Sequence, residues 1–174
     1  MDRIVNIREL TEDDWLALRE LRLHALRSEF GLFFKHPDEE AALSEDEWRA
    51  WAAGDDTRQV FGLFDGERLV GITGTFTDID DPTGRTVGFG MSYLSPEYRG
   101  RGLANLLYEV RLAWVRARPH VRRVVVGHRR SNTASRRMIE KFGFRWTEDI
   151  PHHWPDGTDD DDVCYELLLD GQTA

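Results

Sequence analysis

The sequence predicts an α/β protein of one domain, in which a mixed sheet is flanked by helices. Stretches of alternating or β-branched apolar residues are interspersed with stretches of helical periodicity, in the order βααβββαβαββ. With 174 residues the chain is long enough to bury a core, and it contains no internal repeat and no linker. We therefore expect a single domain over residues 1–174.

The first elements are one strand and two helices. Residues 4–10 alternate as a strand does, and Thr11 is placed to cap a helix whose apolar positions recur at helical spacing. A capping box over residues 44–47 starts the second helix. Between the two helices, residues 30–34 are apolar without a period, so they either pack on the core or form a wall of a substrate pocket.

Three strands follow these helices. Residues 59–64 and 68–76 are predicted to form a hairpin through an Asp-Gly turn. Residues 86–94 resume a strand, which contains Gly88 and Gly90. Glycine inside a strand indicates either a β-bulge or the close approach of a ligand.

The C-terminal half alternates helices with strands. An apolar stripe from Leu103 to Trp114 predicts a long helix, and residues 121–126 form a β-branched run that is typical of a buried strand. Asn132 is placed to cap the next helix, and Gly143 is placed to end it. These elements complete the alternation of helix and strand that a mixed sheet needs.

Two strands close the chain, over residues 145–150 and 163–169, and an acidic loop over residues 155–162 separates them. The loop is either a solvated turn or a site that attracts a cationic amine. The last strand contains Cys164, the single cysteine, which we expect to be a small core residue rather than a nucleophile. A lone cysteine forms no internal disulfide, so we expect a cytoplasmic location.

Charge and hydropathy exclude several classes of function. No run of about 18 apolar residues predicts a membrane helix, and the first residues lack the basic-then-apolar pattern of a signal peptide. The net charge is −9, yet residues 99–145 carry 13 Lys/Arg against two acids, +11, and the remainder carries −20. A basic block in an acidic protein indicates a small polyanionic ligand and disfavours nucleic acid. No spacing indicates a metal site or covalent catalysis.

The most informative segment joins the strand over residues 86–94 to the following helix. Its residues 99–104, which we call the glycine loop, contain two glycines and two arginines. Backbone N–H groups at a helix start are unpaired and favour anions, and glycine lets a ligand approach the main chain closely. Taken alone, the glycine loop is either a pyrophosphate-binding loop or a solvated turn.

Two motifs together resemble those of the GCN5-related N-acetyltransferases (GNAT family), and the resemblance spans nearly the whole chain. Arg99, Gly102 and Ala104 match Gln/Arg-x-x-Gly-x-Gly/Ala, the acetyl-CoA motif that follows a strand in this family. Residues 132–144, an Asn on a helix that ends in Gly-Phe, match the family's next signature. The resemblance implies a single-domain acyl-CoA N-acyltransferase fold, with a mostly antiparallel sheet that splays between two strands.

The resemblance also implies acetyl-CoA as co-substrate. Leu94 would be the backbone partner of the pantetheine arm, and its N–H would polarise the thioester carbonyl. Asn132 would hydrogen-bond the pantetheine arm, a role that is compatible with capping its helix. The pyrophosphate would be held by the backbone N–H groups and the two arginine side chains of the glycine loop, which consists of Arg99, Gly100, Arg101, Gly102, Leu103 and Ala104.

The implied reaction is direct transfer of an acetyl group to a primary amine of a small molecule or peptide in a ternary complex. Many family members protonate the leaving thiolate with a tyrosine four residues before the glycine of Gly-Phe, but here that position is Ile139. The candidate catalytic residues are therefore His128, Ser135 and Tyr93. His128 is either a general base or a satisfied strand-end histidine, and the histidines at 152 and 153 rank behind it.

Two other classes of function are considered. A dinucleotide-binding oxidoreductase would continue the Gly-x-Gly of the loop to a third glycine, but Asn105 stands there and no acidic residue follows at the usual distance. A non-catalytic acetyl-CoA sensor or interaction module on the same fold stays open because of Ile139. The sequence also leaves open whether the acceptor is cationic and whether the chain forms a homodimer.

Overall fold

A computed structural model of the chain describes residues 5–169, so Ile4, which opens the predicted first strand, lies outside the described residues. The strands are β1 (Val5–Glu9), β2 (Arg58–Asp65), β3 (Arg68–Thr77), β4 (Thr86–Leu94), β5 (Arg123–Arg129), β6 (Arg145–His153) and β7 (Asp159–Leu168). The helices are α1 (Trp15–Ser28), α2 (Pro37–Ala41), α3 (Glu45–Ala53), α4 (Ala104–Arg116) and α5 (Thr133–Lys141). The strands form one sheet in the order β1-β2-β3-β4-β5-β7-β6, which confirms the predicted mixed α/β fold.

The sheet is antiparallel except between β4 and β5. These two strands pair in parallel at three positions, the last of which joins Gly88 to Val125. Beyond that pair, residues 89–94 of β4 and residues 126–129 of β5 do not pair with each other. The sheet therefore splays here, as the resemblance implies, and we call the opening the β4–β5 gap.

A bulge and a close packing contact explain the two glycines of β4. One extra residue in β4 lies opposite the segment Ile72–Gly74 of β3, and Met91 within it adopts φ 49°. The bulge predicted for this strand is therefore present beside Gly90. A Cβ on Gly88 would lie 2.3 Å from the ring of Phe76, so the close approach at Gly88 is made by this side chain rather than by a ligand.

Helices cover the two faces of the sheet unequally. On the face that we call the α4 face, α4 and α5 pack on the strands around Val124, Ile139 and Phe144. On the other face, α1 and α3 pack over β2 to β4 and bury Leu18 and Trp48. The described helices leave this second face uncovered over β5, β7 and β6. We call that uncovered area the open face.

The predicted acidic loop is wrong over its second half. Asp159–Asp162 are the first four residues of β7, and they pair with β6 on one side. Arg129 forms ion pairs with Asp156 and Asp160 at N–O distances of 2.7 and 3.2 Å, and Arg130 forms another with β7. Arg129 of β5 and Arg130, which follows it, therefore neutralise most of these carboxylates, so the run as a whole is not a site for a cationic amine.

Candidate active site

A cavity of about 700 Å³ extends through the β4–β5 gap and is lined from both faces of the sheet. Tyr108 of α4 lines it on the α4 face, and Trp154 lines it on the open face. Phe33 and Phe34 also line it, and Phe33 packs on the core of α1 and α3 as well. Residues 30–34 therefore contribute to core packing and also to a wall of this cavity.

The glycine loop lies where β4 ends and α4 begins. Gly100 and Gly102 have φ of 70° and 76°, a region that strains any residue with a Cβ. Among the described residues, the N–H groups from Gly100 to Leu103 find no hydrogen-bond acceptor. The Asn105 side chain fixes the loop, because its Nδ2 donates to the Gly102 carbonyl at 2.9 Å. Several free donors at a helix start form an anion-binding site.

The two arginine side chains of the glycine loop already have protein partners. Arg99 donates from Nε to the Leu94 carbonyl at 2.8 Å and from Nη2 to Glu29 at 2.5 Å. Arg101 lies over the Tyr98 ring, with 5.5 Å from its guanidinium carbon to the centroid. In this arrangement the backbone N–H groups are the donors directly available to a phosphate, and Arg99 holds the loop against the end of β4.

The backbone of Leu94 faces the β4–β5 gap. Ser95 donates its N–H to the Val70 carbonyl at 2.9 Å, and successive residues of an antiparallel strand point their N–H groups to opposite edges. The N–H and C=O of Leu94 therefore point away from β3, towards the gap. This orientation is the one that an added strand-like ligand would need.

Asn132 and Ser135 lie together at the start of α5, and both line the cavity. The Asn132 Oδ1 accepts a hydrogen bond from the Ser135 N–H at 3.2 Å, so the predicted helix cap is present. The Asn132 Nδ2 donates to no other residue that the structure describes. One side chain can therefore cap the helix and still offer an amide N–H to a ligand.

His128 is a buried histidine whose two ring nitrogens both have partners. Its side chain is 4 % exposed and lines the cavity. The Nδ1 atom lies 2.7 Å from the Arg129 carbonyl, and the Nε2 atom lies 3.3 Å from the Tyr165 hydroxyl. Since a carbonyl only accepts, the neutral ring carries its proton on Nδ1 and accepts at Nε2 from Tyr165. The geometry is that of a satisfied strand-end histidine.

The other candidates differ in their access to the cavity. Tyr93 is 3 % exposed and packs in the core between the sheet and α1, and it is not among the residues that line the cavity. Ile139, a residue of α5, is fully buried in the core of the α4 face. In the same core, Tyr165 lines the cavity, and burial raises the pKa of its phenol. Tyr165 therefore carries a protonated hydroxyl in the core that also contains Ile139.

Asp162 lines the cavity, and the sequence does not distinguish it from the other residues of the acidic run. Its carboxylate leans over β5, because a Cβ on Gly127 would lie 2.5 Å from Oδ1. That Oδ1 is buried without a hydrogen-bond partner, and burial raises the pKa of the carboxyl, although the Cys164 thiol at 3.4 Å partly offsets this. The carboxylate lines the cavity on the open face. Unlike its neighbours in the acidic run, it forms no ion pair with a residue in the described range.

Cys164 is not the core residue that the sequence predicts, because it is only partly buried and lines the cavity, but its thiol is poorly suited to be a nucleophile. Burial, together with the neighbouring Asp162, raises the pKa of its thiol to about 12, so the thiolate is scarce near neutral pH. Between residues 5 and 169, no helix is long and apolar enough to cross a membrane. No group of three or more His, Cys, Asp or Glu side chains in this range is arranged to hold a metal ion.

The split sheet and the glycine loop at the start of α4 are features of an acyltransferase fold. The family model of the acetyltransferase (GNAT) family matches residues 15–144. The chain belongs to this family.

Solved structures agree with this assignment. A GNAT-family acetyltransferase from Streptococcus pneumoniae superimposes with a TM-score of 0.83 at 20 % identity, covering 95 % of this chain and 100 % of the other. The protein yncA from Salmonella typhimurium, solved with its cofactor acetyl-CoA, gives 0.80 at 22 % identity over 98 % and 97 % of the two chains. NAA60 from Arabidopsis thaliana, in complex with a bisubstrate analogue, gives 0.73 at 15 % identity over 97 % and 99 %. No curated protein matches the sequence significantly.

Proposed function

We propose that the protein is an N-acetyltransferase, which moves an acetyl group from acetyl-CoA to a primary amine of a small molecule or peptide by direct transfer in a ternary complex. The observation that carries the proposal is the continuity of two features. The free N–H groups of the glycine loop adjoin the end of β4, whose backbone from Leu94 faces the β4–β5 gap. An extended ligand with a pyrophosphate at one end fits both.

The donor would be held by the backbone. The N–H groups from Gly100 to Leu103 would bind the pyrophosphate, and the pantetheine arm would lie along Leu94 in the gap. The Leu94 N–H would also stabilise the oxyanion that forms on the thioester carbonyl. The Asn132 amide would hold the pantetheine from the side of β5.

The acceptor would enter from the open face, where Asp162 would act as general base. Its raised pKa and unpartnered Oδ1 suit the removal of a proton from a bound ammonium. The neutral amine would then attack the thioester carbon, forming the C–N bond. As the tetrahedral intermediate collapses, the C–S bond breaks and the amine nitrogen loses its second proton.

The leaving thiolate also needs a proton, since Ile139 supplies none. The Tyr165 hydroxyl lines the cavity and stays protonated because burial raises its pKa. It would turn its proton from His128 Nε2 to the thiolate, and it would recover a proton from the amine nitrogen. Ser135 on the same side of the cavity is the alternative donor.

The walls of the open face favour a cationic amine with an apolar part. Phe34 and Trp154 stack with their ring centroids 4.9 Å apart and line the cavity beside the carboxylates of Glu148 and Asp162. Aromatic rings and carboxylates together attract an organic cation. The acceptor proposed is therefore an amine that carries a positive charge at neutral pH.

The proposal is tested by incubating the protein with acetyl-CoA and a panel of amines, amino acids and peptides while free thiol is measured. Turnover with an amine, and none without it, is the expected result. Thermal stabilisation by acetyl-CoA without turnover on any acceptor would instead favour the acetyl-CoA sensor. Stabilisation by NAD and none by CoA would contradict both.

A further inference from the structure

Arg111 is a buried guanidinium without a counterion. It lies on the inner side of α4 and is 1 % exposed. Its Nε donates to the Leu107 carbonyl at 2.9 Å, and its guanidinium carbon lies 4.4 Å from the ring centroids of both Phe89 and Tyr108. Its Nη2 is buried and has no hydrogen-bond partner. No carboxylate in residues 5–169 forms an ion pair with it.

Burying the Arg111 guanidinium without a counterion destabilises the protein when no ligand is bound. Burial lowers the pKa of Arg111 to about 10, so the side chain still carries its charge near neutral pH. A buried charge is ordinarily paired, because its desolvation is otherwise uncompensated. The other buried arginine on this cavity follows the rule, since Arg22 binds both carboxylate oxygens of Glu40 at 2.8 and 2.9 Å. The aromatic rings around Arg111 supply only part of such compensation.

Arg111 lies at the closed end of the β4–β5 gap. The ring that it covers belongs to Phe89, the first residue of β4 after the last pair with β5. The glycine loop lies at the other, open end, and the seven helical steps from Ala104 to Arg111 correspond to roughly 10 Å. The glycine loop and Arg111 therefore lie towards opposite ends of the β4–β5 gap, and Arg111 lines the cavity that extends through it.

We propose that Arg111 binds the carboxylate of a dicarboxylic acyl group carried by CoA, such as malonyl or succinyl. The inference rests on the proposed function and refines its donor. With the pyrophosphate at the glycine loop, the acyl group is the part of the thioester that reaches the closed end of the gap. A terminal carboxylate would supply the anion that Arg111 lacks and would accept a hydrogen bond from its free Nη2, whereas an acetyl group offers the guanidinium no anion.

The test compares the binding of matched thioesters by calorimetry. Malonyl-CoA differs from propionyl-CoA, and succinyl-CoA from butyryl-CoA, by a carboxylate in place of a methyl group. The wild-type protein is expected to bind at least one carboxylated member about 10-fold more tightly than its neutral partner, since a hydrogen bond to a charged group is worth that much. Arg111→Met should abolish this preference and leave the affinity for CoA unchanged.

Arg118→Met is the matched control. Arg118 also donates to the carbonyl four residues before it, at 3.0 Å, and also lies over an aromatic ring, that of Trp114, but it does not line the cavity. It should keep the wild-type preference. If Arg111→Met fails to fold, Arg111→Lys replaces it, and succinyl-CoA affinity should then fall several-fold while butyryl-CoA affinity holds.

The outcomes separate the two proposals. No preference in the wild type, or the same preference in the Arg111 variants, overturns the role of Arg111 and leaves the proposed function standing. Failure of CoA and every acyl-CoA to bind overturns the proposed function itself. A preference that the Arg111 variants lose and Arg118→Met keeps establishes the acyl specificity.

Discussion

Asp162 combines two properties that a general base needs, a lining position on the open face and a pKa raised by burial. We predict that Asp162→Asn lowers kcat by about 100-fold or more, since removing general base catalysis typically has this effect. The affinity for acetyl-CoA should stay unchanged, because the donor lies on the other side of the gap. Steady-state kinetics and calorimetry together check both statements.

The role of Asp162 as a base also predicts how kcat/KM and the stability of the fold change with pH. A base works only when deprotonated, so kcat/KM in the wild type should rise with pH through the raised pKa of Asp162, and this limb should vanish in Asp162→Asn. A carboxyl with a raised folded pKa stabilises the fold at low pH and loses that contribution as pH rises. Asp162→Asn should therefore unfold at no lower a temperature than the wild type at pH 7. Asp159→Asn, in the same strand but exposed, is the control, and equal kcat in both variants would contradict the role.

His128 should behave as a core residue. We predict that His128→Ala lowers the free energy of unfolding by about 1–3 kcal/mol, because the Tyr165 hydroxyl loses its partner and a cavity forms. The low-pH limb of kcat/KM should persist in this variant, since it belongs to Asp162. Chemical denaturation and a pH-rate profile are the measurements. Loss of that limb in His128→Ala would assign the base to the histidine instead.

At the scale of elements, local signals predicted most of the fold. The strand over residues 86–94 and the Asn132 cap agree with the structure because alternation and capping act within a few residues. Helix α2 was not predicted, since its five residues are too few for an apolar period. The sequence predicts a loop at the start of β7 because a run of acids disfavours a strand unless cationic partners such as Arg129 neutralise it.

The sequence likewise predicts some residues of the candidate site and not others. The glycine loop was visible because glycine reports a backbone requirement, and both loop glycines do have positive φ. Asp162 and Arg111 were not singled out because their importance lies in burial without a partner. That property depends on what surrounds a side chain in three dimensions, and neither composition nor spacing records it.

The conformation of the glycine loop can be tested as an element. We predict that Gly102→Ala weakens acetyl-CoA binding by about 10-fold or more, because a Cβ at φ 76° costs about 1–2 kcal/mol and turns the loop N–H groups away from the phosphate. A steric clash does not cause the expected loss of affinity, since the nearest atom to that Cβ would be 3.7 Å away. Calorimetric titration measures the affinity.

Gly84→Ala is the matched control for this prediction. Gly84 has φ 67°, open space around its Cβ, and a position just before the opposite end of β4. The two variants should lose similar thermal stability, and only Gly102→Ala should lose affinity. Equal affinity in both would mean that the loop conformation does not serve the ligand.

At the scale of the whole molecule, the sheet consists of two parts that meet weakly. Strands β1 to β4 form one antiparallel part and β5, β7 and β6 form the other, and in residues 5–169 three residue pairs of the sheet join β4 to β5. A fixed geometry of the cavity therefore depends on whatever fills the β4–β5 gap. A pantetheine arm that pairs with Leu94 would act as the missing strand between the two parts.

Hydrogen exchange tests whether the pantetheine arm pairs with β4 in the gap. Any ligand that binds only the folded state slows exchange from global unfolding uniformly, but amides that have no partner without ligand respond only to local bonding. We predict that saturating acetyl-CoA slows exchange in segments 91–95 and 99–104 by about 10-fold or more beyond the change in β2, since each new hydrogen bond contributes about this much. Strand β2 is the internal reference because its partners β1 and β3 are present throughout. A uniform slowing across the sheet would show that the ligand stabilises the fold without lying between β4 and β5, whereas a local one would place the pantetheine arm in the gap.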